Sequence, residues 1–229
     1  MTSDRRRLMM ACFTASGGGG GLPAEYQQVE YIYSPQSYKY GNYYGNAPYL
    51  LLGIQTNFLG YDIDFQYDNT NRPDTPRLVG SFRWGGGNYG TFGLWSGIYW
   101  AMQTGANRDS DFTLAADDLR HRLQYRVSEN NWSMDGVVKQ TNLTTPSANS
   151  VDIGLFCTYD SAQTRPPFFA TGGFKVFSAK FYSAYSLVRD LVPCYRIADS
   201  KPGMYDLVGG VFYVNQSSGN IEFTVGSDV

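Results

Sequence analysis

Cysteine, histidine and charge are all scarce in this chain, which has three Cys, one His and 17% charged residues among 229. Cys12, Cys157 and Cys194 are odd in number, and their spacing fits neither a CxxC metal pair nor a disulfide framework. Free thiols are expected. The lone His121 excludes a His-rich metal site. No apolar run approaches the roughly 20 residues that cross a bilayer, so a soluble chain without a transmembrane helix is expected. A net charge of −2 supplies no broad basic field, which argues against nucleic acid and membrane surfaces as partners.

What is abundant is aromatic and turn-forming. The 19 Tyr, 14 Phe and 26 Gly suit a chain rich in sheets and turns rather than helices. From Leu22 onward no helical period appears, and short runs of β-branched and aromatic residues alternate with breakers such as "NTNRPDTP", "TGANRDSD" and "TPSANS". Strands are predicted over 26–33, 49–55, 61–67, 77–84, 91–95, 98–103, 119–128, 131–134, 137–141, 151–159, 174–183, 187–196 and 211–215. In "FKVFSAKFYS" the alternation assigns Phe177, Ala179 and Phe181 to one face. Asp135-Gly136 and Gly209-Gly210 read as two-residue hairpin turns. Ser200 to Gly203 read as a turn. The fold expected is all-β, a two-sheet antiparallel jelly-roll sandwich spanning 22–229.

Ahead of it lies a short N-terminal extension, 1–21, with Arg5, Arg6, Arg7, Leu8, Met9, Met10 and Phe13 before the run Gly17 to Gly21. Only Leu8, Met9, Met10 and Ala11 separate Arg7 from Cys12, too few for the roughly 7 to 15 residues of an export signal's apolar region. The segment reads as a basic and apolar peptide on a flexible Gly linker. It is either a tail or a docking anchor.

Three motifs resemble one family: "LPAEYQQVEYI" at 22–32, "YDIDFQY" at 61–67, and "FKVFSAKFYSAYSLVRDLVPCYRIADSKPGMYDLVGGVFY" near the C-terminus. Together with the order of hairpins they resemble the concanavalin A-like, laminin G-like jelly-roll domains of bacteriophage tail and fibre proteins and of gut-bacterial surface proteins. "LRHRLQYRVSENNWSMDGVVKQT" is similar to the paired strands of laminin G-like domains. The resemblance implies a non-enzymatic structural protein of the virion: a fibre, head-decoration or receptor-binding component. Its N-terminal peptide would dock on other virion proteins, and its jelly roll would engage a partner or host-surface glycan. It implies a homo-oligomer, often a trimer in phage fibres. The alternative it leaves open is a lectin-like module on the bacterial cell surface. After Tyr33 the chain departs from the family, with "SPQSYKYGNYYGNAP" replacing a short polar turn.

That insert makes Tyr38, Tyr40, Tyr43, Tyr44 and neighbouring Tyr49 the candidate ligand site, since Tyr rings stack on sugars and also fill protein interfaces. Packing or an oligomer contact is the competing reading. Tyr89, Trp95, Tyr99 and Trp100 read mostly as core.

Catalysis finds little support. Asp62, Asp64 and Gln66 share a strand face, but a retaining glycosidase needs two carboxyls about 5 to 5.5 Å apart. An amide at 66 can neither protonate a leaving group nor activate water, so a solvated strand face is expected. Cys194 lacks a neighbouring base in sequence and reads as a small buried hydrophobe on a face with Val188 and Val192. His121 reads as a satisfied sheet-face or core histidine, sharing its face with Leu123 and Tyr125. No cofactor is expected. Calcium is the one metal with candidate ligands, Asp68 and Asp74 or Asp109 and Asp111 on predicted loops, where ordinary turns compete.

Overall fold

The computed structural model describes residues 21–35, 47–55, 59–69, 76–83, 87–95, 98–102, 110–126, 129, 131–140, 152–160, 172–183 and 185–229. Among them there is no α-helix. The chain runs through β1 (Tyr26–Gln28), β2 (Ile32–Ser34), β3 (Leu50–Gln55), β4 (Leu59–Tyr67), β5 (Arg77–Arg83) and β6 (Gly87–Trp95). It continues with β7 (Ile98–Met102), β8 (Ser110–Ala115), β9 (Arg120–Arg126), β10 (Asn131–Met134), β11 (Val137–Gln140) and β12 (Asp152–Leu155). Last come β13 (Tyr159–Asp160), β14 (Phe174–Ser183), β15 (Ser186–Arg196), β16 (Lys201–Asp206), β17 (Val211–Val214) and β18 (Thr224–Val225).

These strands form a two-sheet β sandwich. The larger sheet has the order β11-β10-β9-β4-β14-β15-β16-β17, with β1 beside β15 and β2 between β14 and β18. The smaller has the order β3-β12-β5-β6-β7-β8. All pairings are antiparallel except the short β13–β5 ladder. Alternation along β4 sends Tyr61, Ile63, Phe65 and Tyr67 inward, all essentially inaccessible to water. From the smaller sheet Leu50, Leu52, Val79, Phe92, Leu94, Tyr99, Ile153 and Leu155 meet them. Rings cross the interface edge-on: Phe65 lies 5.5 Å from Phe92 and 5.9 Å from Tyr99 between centroids. Trp132 of β10 stacks on Tyr125 at 4.3 Å.

The β10–β11 turn forms as expected, with Asp135 and Gly136 at φ +54° and +77°. Several expectations need correction. The Tyr26 to Tyr33 run is broken into β1 and β2, with Val29 bridging instead to Asp228. Ser110 and Asp111 lie in β8, and Thr224–Val225 forms a strand that composition alone did not signal. Lys201, Pro202 and Gly203 belong to β16, so the turn before it is 197–200. The Gly209-Gly210 turn spans four residues, 207–210, with only Gly210 at positive φ. Phe177 is not inward: a register shift between Val176 and Ser178 leaves Phe174, Val176, Ala179 and Phe181 in the core and turns Phe177 out.

Candidate functional site

The outward face of β4 carries the carboxylates that the sequence singled out, Asp62 and Asp64. Register sets Asp62 opposite Gln124 and Asp64 opposite Arg122, so Arg122 and Arg120 of β9 reach Asp62 and Asp64 diagonally. The Arg122 guanidinium forks onto Asp62 with bonds of 2.8 and 2.6 Å, Gln124 donates to the same carboxylate at 2.9 Å, and Arg126 stands 3.7 Å away. Arg120 forks likewise onto Asp64. Further across, Lys180 of β14 pairs with Asp190 of β15 at 2.8 Å. Aromatic rings are threaded through this array. The Arg120 guanidinium sits 3.9 Å above Phe177, and Arg126 sits 4.9 Å above Tyr182. Tyr31 meets Phe177 edge-on, with Lys175 over its ring at 5.0 Å.

Asp62 is not the solvated residue expected. It is 7% exposed. Burial by itself would raise its pKa, but the hydrogen bonds from Arg122 and Gln124 outweigh burial and lower it. A carboxyl held ionised by an arginine is a poor proton donor. Asp64, more exposed, is held by the Arg120 fork, and the Gln66 amide donates to the Asp118 carbonyl. Asp62 and Asp64 are thus each ion-paired with an arginine of β9, while Gln66 is tied to a backbone carbonyl.

Cys194 is fully buried, and burial pushes its thiol pKa up to about 12. It lies opposite Gly203 of β16, over whose Cα the Phe212 ring is packed, and Tyr26 bridges Phe212 and Tyr205 at 4.8 and 4.9 Å. Val188 and Val192 are only half-buried. His121 is on β9, with β4 and β14 between it and β15, a separation of about 14 Å at normal strand spacing. No thiolate–imidazole pair can form at that distance. Cys157 is also buried, and burial likewise raises its pKa.

The charged residues of the closing segment pair off: Arg196 with Asp199 at 2.6 Å, and Arg189 with the buried Asp206 at 3.4 Å. Asp206 also accepts the backbone N–H groups of Asp190 and Val208.

Among the tyrosine candidates, Tyr38, Tyr40, Tyr43 and Tyr44 lie outside the described residues, as do Arg5, Arg6, Arg7, Leu8, Met9, Met10 and Phe13 of the extension. Tyr49 is buried in the core. Its hydroxyl donates to the Gln216 carbonyl at 2.9 Å, and its own carbonyl accepts the Gln216 N–H at 3.1 Å. This ring bolts β3 to the segment after β17 and presents no face to a sugar. Of the calcium candidates, Asp74 and Asp109 lie outside the described residues, and Asp68 accepts from the Tyr33 hydroxyl at 2.7 Å. Among the described residues no three His, Cys, Asp or Glu side chains gather as a metal site would require.

Asp117, unremarked in the sequence, and Asp135, read there only as part of a turn, close on the two nitrogens of His121. The only local signal was the Asp-Gly turn itself. The chain matches no known family model and no curated protein.

Proposed function

We propose that this protein is a non-enzymatic structural component of a bacteriophage virion, a fibre, head-decoration or receptor-binding protein whose β sandwich is a concanavalin A-like jelly roll serving adhesion. The observation that carries this reading is the outward face of the larger sheet. There Asp62, Asp64 and Asp190 are each tied to a cation, while Phe177 and Tyr182 turn rings toward that same face. Such a face suits recognition, because its polar groups are preorganised and its rings add apolar area. It does not suit hydrolysis, which needs a carboxyl able to give up or take on a proton. The buried, protonated Cys194 is equally unsuited to attack.

In this reading the segment 1–21 docks on neighbouring virion proteins through its arginines and apolar side chains, and the sandwich faces outward. Copies of the chain assemble as a homo-oligomer, and the tyrosine-rich insert contacts a partner copy or a host glycan. The test is incorporation. Purified particles carrying a version lacking residues 1–21 are probed by mass spectrometry, alongside the isolated truncated domain. The expected result is a folded domain missing from particles. Incorporation at the wild-type level overturns the anchor, and absence of the full-length chain from particles overturns the virion assignment.

A further inference from the structure

His121 takes no part in that surface. It lies on the inward face of β9, 6% exposed, with Nδ1 2.7 Å from Asp135 Oδ2 and Nε2 2.7 Å from Asp117 Oδ1. A neutral imidazole has one N–H. Its second nitrogen would then aim a lone pair at a carboxylate oxygen 2.7 Å away, a repulsive contact. Both contacts are attractive only when both nitrogens carry hydrogen, that is, when the ring is an imidazolium.

The surroundings are consistent with one positive charge held between two negative ones. Phe65 of β4 packs against the ring at 5.9 Å, and Tyr99 of β7 meets it edge-on at 5.8 Å. Burial, reinforced by the Asp117 charge, raises the pKa of Tyr99, so its phenol stays neutral. On the turn side, Asp135 Oδ1 accepts the Arg122 N–H at 2.8 Å, and the Asp135 N–H donates to the Arg122 carbonyl at 2.9 Å. Asp118, next along the chain, is occupied by the Asn69 N–H at 3.0 Å. The Arg122 guanidinium points the other way, to Asp62. Burial opposes the charged ring, but Asp135 and Asp117 outweigh it and raise the His121 pKa.

We propose that His121 is a pH-operated clamp: as an imidazolium it fastens the β10–β11 turn to the segment entering β9, and loss of its proton releases one of those two ends. Because the folded-state pKa is raised, the clamp is fully engaged below the unfolded value of 6.5 and is lost as pH rises through the folded value. The element it controls is exposed. β11 is the last strand of the larger sheet's order, with Val137 and Val138 56% and 51% exposed, the kind of strand that pairs with another chain when freed.

A single histidine makes the test direct. Ring 15N and Cε1–H signals of the full chain, followed by NMR from about pH 5 to about pH 10, belong to His121 alone. We expect both nitrogens protonated at neutral pH and a midpoint above 6.5. Asp117→Asn and Asp135→Asn should each lower that midpoint. Asn at 135 tolerates the turn's positive φ, so the hairpin survives the change. Amide exchange over residues 131–140, corrected for intrinsic rates, should lose protection across the same pH range, and that loss should move with the midpoint in both variants. A midpoint at or below 6.5, a midpoint unmoved by either substitution, or hairpin protection indifferent to His121 titration would overturn the clamp.

Discussion

Strand β4 has two faces, and they are held by different physics. Inward, Tyr61, Ile63, Phe65 and Tyr67 are sealed from water among other rings. Their contribution comes from dehydrated area, about 25 cal/mol per Å², and depends little on which apolar neighbour each one touches. Outward, Asp62 and Asp64 depend on individual partners, Arg122 and Arg120. Coulombic attraction there is offset by the loss of hydration and weakened by the solvent that still reaches the arginines. The inner face supplies stability, while the outer face supplies a defined pattern of charge at small net energy.

The sharpest way to separate the faces is to remove one group from each. Trp132→Ala deletes the largest fully buried side chain among the described residues, stacked on Tyr125 and set against Tyr61 and Phe92. Chemical denaturation should register a loss of about 3 to 5 kcal/mol. A loss no larger than that of an outer-face change would dissolve the distinction.

Asp62→Asn comes next. It removes the charge and one of the two oxygens that accept the Arg122 fork, but Arg122 has a side chain 57% exposed and recovers water, so the expected loss is about 1 kcal/mol. Its pH dependence is more telling. The lowered pKa of Asp62 means its contribution is complete above the unfolded value of 3.8 and disappears as pH falls through the folded one. Urea midpoints measured against pH should converge for wild type and Asp62→Asn in that acid window and diverge above it. Parallel curves would show that the carboxylate is energetically idle.

The smallest effect is expected for Arg120→Gln. Both partners of the Arg120–Asp64 pair are substantially hydrated, so the change should cost less than about 1 kcal/mol, and the difference should shrink in molar salt. A salt-independent loss would instead credit the packing of Arg120 over Phe177.

Where local rules were obeyed, the chain could be read directly. β10 and β14 begin and end where alternation and turn residues put them. His121, Leu123 and Tyr125 share the inward face, and Asp135-Gly136 turns as its composition demands. Reading failed where the ladder was irregular. The bulge after Val176 shifts the phase of β14 by one residue, so that Phe174 and Val176 point inward and Phe177 outward, while Ala179 and Phe181 stay inward as alternation put them. Pro202 and Gly203 look like a turn, yet the strand accommodates them. Pro202 lies beyond the last residue that β17 pairs, where one neighbour is already missing. Gly203 leaves the space that the Phe212 ring and Tyr213 carbonyl occupy.

The candidate site divides along the same line. "DID" and "RHR" are each visible as alternating charge, and period 2 alone puts each set on one face of its strand. That the two strands are neighbours, in a register joining Asp62 to Arg122 across sixty positions, is decided only when the whole sheet assembles. His121 makes the point again: its type and facing are local properties, whereas Asp117 and Asp135 reach it only because a loop and a hairpin turn converge on one end of β9. Alternation and turn preference are short-range and written residue by residue. Strand order and register minimise the free energy of all the strands at once, and that sum is settled only in the folded sandwich.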